Sequence, residues 1–287
     1  MSTFDPDALE CLAAIVEEGG FERAAQRLSI TQSAVSQRLR ALEAQVGTVL
    51  LVRSRPLKAT GAGQLMLKHA RQMRLLRADL ERDLQELAPS SIHGARDEER
   101  ISIAVNADSI ATWALPALDE LARQGVPLEI VTDDQDFTHE WLRDGKVVPL
   151  GAMPYVAVAQ PRYAAEHFPE GLDAHNFRAV PFVAFNRKDD LQCEFVARAF
   201  RLKRVALNQL FVPSSEGQVR AVLAGWGLSV VPLLLVRGLL EQGRLANVAP
   251  ATILPVQLYW HCWNLASEVL GQLTAALTRS GEQALSR

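Results

Sequence analysis

Apolar residues recur at helical spacing over residues 6–17, where Leu9, Leu12, Ala13 and Val16 share a face, and "EGG" closes that helix with glycine. The pattern predicts a short second helix over 21–28, a turn at "SIT", and a third helix over 32–46 that Ser29 or Thr31 can cap. "TVLLVRSRPLKAT" reads as a small β-wing: a β-prone run, a basic turn with Pro56, and a second extended piece. From Thr60 onward, Leu65, Leu67, Ala70, Met73, Leu76, Leu80, Leu84 and Leu87 mark one long helix with a seam resembling that of a coiled coil. "APSSIHGARDEER" (88–100) mixes Pro, Ser, Gly and charges without periodicity, as a linker does.

Beyond the linker the texture changes. "ISIAV", "LEIVT", "AVPFVAF", "VALNQLFV", "GLSVVP" and "VQLYWHCW" read as strands. "SIATWALPALDELAR", "DFTHEWLRDG", "LQCEFVARAF", "EGQVRAVLAGW" and a closing segment from Ser267 read as helices. Strands alternating with helices predict an α/β domain with largely parallel sheets. The expected organisation is a winged helix-turn-helix over 1–59, a linker and dimerisation helix over 60–88, a hinge over 89–100, and an α/β domain over 101–287.

Charge sharpens this picture. The chain carries a net charge of −3, yet Arg23, Arg27, Arg38, Arg40, Arg53, Arg55, Lys58, Lys68, Arg71, Arg74 and Arg77 crowd one stretch whose acids are only Glu22 and Glu43. Such asymmetry suggests an anionic partner for that part. Three cysteines without a CxxC fit a reducing cytosol. "MSTFDPDALE" lacks the basic start and apolar core of a signal peptide, and "LSVVPLLLV" is too short to span a bilayer, so a cytoplasmic protein without a membrane partner is expected.

The third helix carries uncharged hydrogen-bonding side chains beside arginine. Gln32, Ser33, Ser36, Gln37 and Arg40 lie along one face, while Ala24, Ala25, Leu28, Ile30, Val35, Leu39 and Leu42 supply a core. Arg pairs with guanine, Gln with adenine, and Ser with base or phosphate, so this face suits the DNA major groove. Thr31 joins it at the helix start; Arg53, Arg55 and Thr60 are expected to hold flanking phosphates.

"FERAAQRLSITQSAVSQRLRALEAQVGTVLLVR" followed by "TGAG" resembles the winged helix-turn-helix of LysR-type transcriptional regulators. Leu51 stands where that family usually has Phe. The resemblance implies promoter DNA as partner and a homodimer formed through the linker helix. It also implies an assembly into homotetramers and an effector domain of two α/β subdomains around a cleft. RNA polymerase is a further candidate partner. "IAVNADSIATWALPAL", "VPFVAFNRKDDLQ", "SSEGQVRAVLAGWGLSVVP" and "LYWHCW" are similar to the ArgP-type subgroup, which responds to lysine and arginine. In that subgroup pattern a segment separates "LRDGKVV" from "PLGAMPY"; here the two meet at Val148–Pro149, which should truncate a central strand of the first subdomain.

The residues suit a free basic amino acid. Ser109 opens a helix, whose N-terminal amides favour an α-carboxylate, with Thr112 one turn on. Asp133, Asp134 and Gln135 end a strand, and the ligand cleft of an open α/β sheet lies at strand carboxyl ends, so these residues are expected to meet the side-chain cation. Ser214 and Ser215 are expected to close from the second subdomain, and Trp113 to stack on the aliphatic stem or guanidinium. No cofactor or metal is expected, and HExxH, GxSxG, P-loop and GxGxxG patterns are missing, which argues against an enzyme. An architectural DNA-binding protein would not need so large an α/β domain. A redox sensor would rest on Cys193 and Cys262, which read better as ordinary buried thiols.

Overall fold

In the computed structural model the described residues are 4–52, 54, 57–87, 101–132 and 145–286. The expected wing contacts Arg53 and Arg55, the cation ligands Asp133, Asp134 and Gln135, the hinge, and the helix at "DFTHEWLRDG" (apart from its last residue) lie outside them. The chain divides into two compact units, residues 1–101 with 265–270, and residues 102–264 with 271–287.

The first unit opens with α1 (Pro6–Glu17), started by Asp5, whose carboxylate accepts from the Asp7 amide at 3.1 Å, with Pro6 pre-set for the first turn. Then come α2 (Phe21–Arg27) and α3 (Gln32–Val46). Between them Ser29 takes a left-handed φ of 53°, which tightens the turn. Thr31 caps α3 by accepting from the Ala34 amide at 3.2 Å, and Gly47 ends it at φ 80°. Leu9, Leu12, Ile15, Ala24, Val35, Leu39 and Leu42 are buried. Small Ala24 and Ala25 let α2 and α3 approach closely.

The wing is a two-stranded antiparallel ribbon, β1 (Leu51–Val52) and β2 (Lys58–Ala59). It is fastened to α4 (Gly61–Leu87) by Thr60, whose hydroxyl donates to the Val49 carbonyl at 2.8 Å and accepts from the Gly63 amide at 3.1 Å. Gly63 passes so near the Leu50 carbonyl that a Cβ there would lie 2.0 Å from its oxygen. The "TGAG" motif is thus a helix cap followed by a close backbone crossing.

The second unit begins with β3 (Ile101–Val105), which pairs with β4 (Leu128–Thr132) in a two-stranded sheet. Between them one helical stretch runs as α5 (Ala107–Ser109), a π-helical turn (Ile110–Ala114) and α6 (Leu115–Arg123). The main sheet is built on β5 (Gly145–Ala159), with α7 (Pro161–His167) leading away from it. It continues with β6 (Pro181–Ala184), α8 (Leu191–Phe200), β7 (Asn208–Phe211), α9 (Ser215–Leu223), β8 (Leu228–Pro232), α10 (Leu233–Glu241), β9 (Ala246–Asn247), β10 (Leu254–Trp263) and α11 (Glu268–Ala284). Strand order is β10-β5-β8-β6-β7, with β9 also on β5.

Two expectations change here. The sheet is mixed rather than largely parallel: β6 runs parallel to β7 and β8, but β5 is antiparallel to β8, β9 and β10. Strand–helix alternation does not fix the direction of a strand whose partners lie far away in the sequence, and β5 pairs with β8, β9 and β10. The junction at Val148–Pro149 also does not break its strand. β5 runs through it for 15 residues, pairing with β10 from Gly145 to Tyr155 and with β8 from Tyr155 to Ala159. Tyr155 is therefore the residue at which β5 changes partner.

Candidate DNA-reading face and effector cleft

On α3, Thr31, Gln32, Ser33, Gln37 and Arg40 are exposed and Ser36 is half-buried. The Thr31 and Ser33 hydroxyls lie 2.9 Å apart, and Gln32 Nε2 reaches Ser36 Oγ at 3.5 Å. Among the described residues Arg40 has no ion-pair partner, nor have Arg23 and Lys58. The other arginines differ. Arg38 pairs with Asp7 at 3.0 Å, Arg27 with Glu17 at 2.8 Å, and Arg77 with Glu81 at 3.1 Å. Arg74 of α4 binds both Glu10 and Glu17 of α1, and Arg71 approaches Glu17 at 3.6 Å. Much of the basic excess is thus neutralised by acids just outside the basic stretch. The cations that remain unpaired sit on α2, α3 and the wing. Thr60, expected at a phosphate, has its hydroxyl committed to fastening the wing.

The cleft residues of the second unit divide the same way. Asn106 caps α5 by accepting from the Ser109 amide at 2.8 Å. Ser109 is buried, and its Oγ accepts from the Trp113 indole at 3.2 Å. Trp113 is only 5% exposed and its carbonyl accepts from Ser280, so it holds Ser109 in place rather than offering an open face for stacking. Thr112 donates back to the Asp108 carbonyl at 2.6 Å. Ser214 caps α9 by accepting from the Gly217 amide at 3.1 Å. Only Ser215 among these hydroxyls is buried without a hydrogen-bond partner.

Sequence reasoning overlooked the group at the centre. The Asp108 carboxylate accepts from the Tyr155 phenol at 2.5 Å. Burial pushes its pKa above the ordinary carboxylate value; Ser215 and Tyr155 lower it and the nearby Asp189 raises it. Ser215 Oγ therefore lies beside Asp108, although it forms no hydrogen bond of good geometry. Burial, then Asp108, pushes the Tyr155 phenol far above its usual range, so it stays protonated as a donor. Asp108 lies within "NADS", but nothing in that string reveals its burial. The π-helical turn that follows is a distortion often found at functional sites.

The family model of bacterial regulatory helix-turn-helix proteins of the lysR family matches residues 6–64, and the LysR substrate binding domain matches 94–280. The chain belongs to the LysR family. It is a DNA-binding transcriptional regulator with an effector domain of the LysR substrate-binding type. The transcriptional regulator ArgP of Pseudomonas aeruginosa is 40% identical, with 98% of each chain covered. That alignment spans 304 positions against 287 residues here, so the relative carries residues this chain lacks. The crystal structure of ArgP from Mycobacterium tuberculosis superposes with a TM-score of 0.81 at 37% identity, covering 100% of this chain and 99% of that one. Full-length LysG from Corynebacterium glutamicum with bound effector Arg gives 0.72 at 31% identity, covering 99% and 100%.

Among the described residues no helix is long and apolar enough to cross a membrane, and no cluster of three metal-ligating side chains occurs. Cys11 and Cys262 are buried, and burial, with Asp190 and Asp189, pushes the Cys193 thiol upward, away from the reactive thiolate.

Proposed function

We propose that this LysR regulator binds promoter DNA as a homodimer, senses L-lysine or L-arginine in the effector domain, and catalyses no reaction. The similarity to LysG with bound Arg, over nearly the whole chain, is the observation that carries the effector reading. The chemistry around Asp108 agrees with it: the charge that bears on this buried carboxylate is another carboxylate, Asp189, and no cation among the described residues offsets it there. The ligand's side-chain cation is assigned to Asp133, Asp134 and Gln135, which follow Thr132 in the sequence. On DNA, Gln32, Ser33, Ser36, Gln37 and Arg40 read bases, while Arg53 and Arg55 hold phosphates.

Leu65, Met73, Leu76, Leu80 and Leu84 of α4 are exposed large apolar residues, which supports pairing of this helix with a second copy. Two such dimers then join as a tetramer on DNA and act on RNA polymerase. The deciding experiment is calorimetric titration of the full chain with lysine, arginine and norleucine. Lysine or arginine should bind and norleucine only weakly. Asp133→Asn or Asp134→Asn should cost on the order of 2–5 kcal/mol, roughly thirtyfold or more in affinity. Equal binding of norleucine and lysine to the wild type would defeat the basic amino-acid reading.

A further inference from the structure

Ser215 is 4% exposed, starts the nine-residue helix α9, and leaves its hydroxyl without a partner. A buried hydroxyl without a hydrogen bond is unfavourable unless something else supplies one. Beside it stands the Asp108 carboxylate, held by Tyr155. The groups that bear on Asp108 are Tyr155 of β5, Ser215 of α9, and Asp189 just before α8. Asp189 accepts from the Phe185 and Leu191 amides and is fixed where it stands. Among the described residues no positive group bears on the Asp108 carboxylate. The site therefore combines a surplus of negative charge with a donor in need of an acceptor.

A free α-amino acid carries both complements on a single carbon. Its ammonium needs a carboxylate, and its carboxylate needs donors only a few ångströms away. Asp108 and Ser215 are such neighbours, and the N-terminal amides of α9 add to the donor side. Ser109, the other candidate for the carboxylate, has its amide committed to Asn106 and its Oγ accepting from the Trp113 indole; its own hydroxyl proton stays available, so it is a second donor beside Ser215. We propose that Asp108 receives the α-ammonium of the effector and Ser215, with the first amides of α9, its α-carboxylate, while Tyr155 positions Asp108. This rests on the basic amino-acid reading and adds the part of the ligand that the reading leaves unassigned. Recognition of the backbone and of the side chain then falls to different residues. Ligand binding also links α5, β5 and α9, elements contributed by distant parts of the effector domain.

The test titrates the full-length protein with lysine, 6-aminohexanoate, which lacks the α-ammonium, and cadaverine, which lacks the carboxylate. Wild type should bind lysine roughly tenfold or more tighter than either analogue. Asp108→Asn should bring lysine down to the level of 6-aminohexanoate and leave 6-aminohexanoate within about twofold of its wild-type affinity. Ser215→Ala should weaken lysine and spare cadaverine. Equal loss of lysine and 6-aminohexanoate in Asp108→Asn would overturn the assignment, as would unchanged lysine binding. If that variant fails to fold, the wild type still decides, because equal affinity for lysine and 6-aminohexanoate removes any role for an α-ammonium site. If wild type binds neither lysine nor arginine, the basic amino-acid reading itself fails, and this assignment fails with it.

Discussion

The Tyr155 phenol, at the point where β5 passes from β10 to β8, donates to Asp108 at the start of α5 over 2.5 Å. One hydrogen bond thus ties the first helical turn after β3 to the middle of the main sheet. Burial raises the pKa of Asp108, so the ionised form is unfavourable where it stands. The folded state is not penalised below the ordinary value of 3.8, and stability is lost as pH rises through the raised value. Asp108→Asn should therefore increase the melting temperature of the ligand-free protein at neutral pH. The gain should shrink as pH approaches 3.8. Thermal melts across pH check this; a variant that is less stable at pH 7 contradicts it.

Arg74 should matter more to the first unit than its place on a linker helix suggests. Its side chain is 12% exposed and serves Glu10 and Glu17 together. Removing it takes the arginine from Glu10 and leaves Glu17 to Arg27 and Arg71, and Arg74→Met should cost about 1–3 kcal/mol, less than a fully buried pair because the glutamates stay partly hydrated. Burial alone would raise the pKa of Glu17, but Arg74 and Arg27 outweigh it and the net shift is downward. That stabilisation is present above pH 4.5 and is lost as pH falls through the lowered value. Acid unfolding of wild type and variant, followed by circular dichroism, should show a shallower pH dependence in Arg74→Met.

The wing should depend on its fastening. Thr60→Ala removes the cap of α4 and should destabilise the DNA-binding unit by about 0.5–2 kcal/mol. Gly63→Ala drives a methyl into the Leu50 carbonyl and should cost about 1–3 kcal/mol through forced movement of the backbone. Both should weaken DNA binding without changing base preference. Denaturant melts and binding to operator variants separate the two effects; altered preference at one base pair would mean direct readout by Thr60.

On α3, Arg40 should act differently from the wing arginines. Arg40→Ala should cost about 1–3 kcal/mol at one base pair and relax preference there. Arg53→Ala should weaken binding to all sequences and lower the salt dependence. Footprints and salt titrations measure both, and indistinguishable profiles would end this division of labour.

The DNA-binding half was legible because its signals are local. The cap Thr31, the period of the apolar positions and the glycine of "EGG" each act within a turn or two of where they stand. The motif around Gln32–Arg40 therefore identified both the fold and the exposed face. Local pattern could not say which arginines were free, because the partners of Arg38 and Arg74 come from α1. It also missed α7, which spans seven residues, and α10, which begins directly after the last residue of β8 with no turn between them.

The effector domain was legible in class and not in its centre. Alternation of strands and helices gave an α/β domain; strand direction and the continuous β5 depended on pairings between distant segments. Ser109, Thr112 and Trp113 lie near the start of α5 as their place in the sequence implies, but which hydroxyl remains unpaired is decided by packing. Asp108 and Tyr155 are 47 positions apart, and a string of letters carries no sign of their contact. The sequence alone determined the family pattern and the short-range architecture, because helix caps and apolar periods need only neighbouring residues. Only the tertiary structure decided the charge balance and the binding groups of the cleft, because burial and hydrogen-bond partnership are properties of chains brought together from afar.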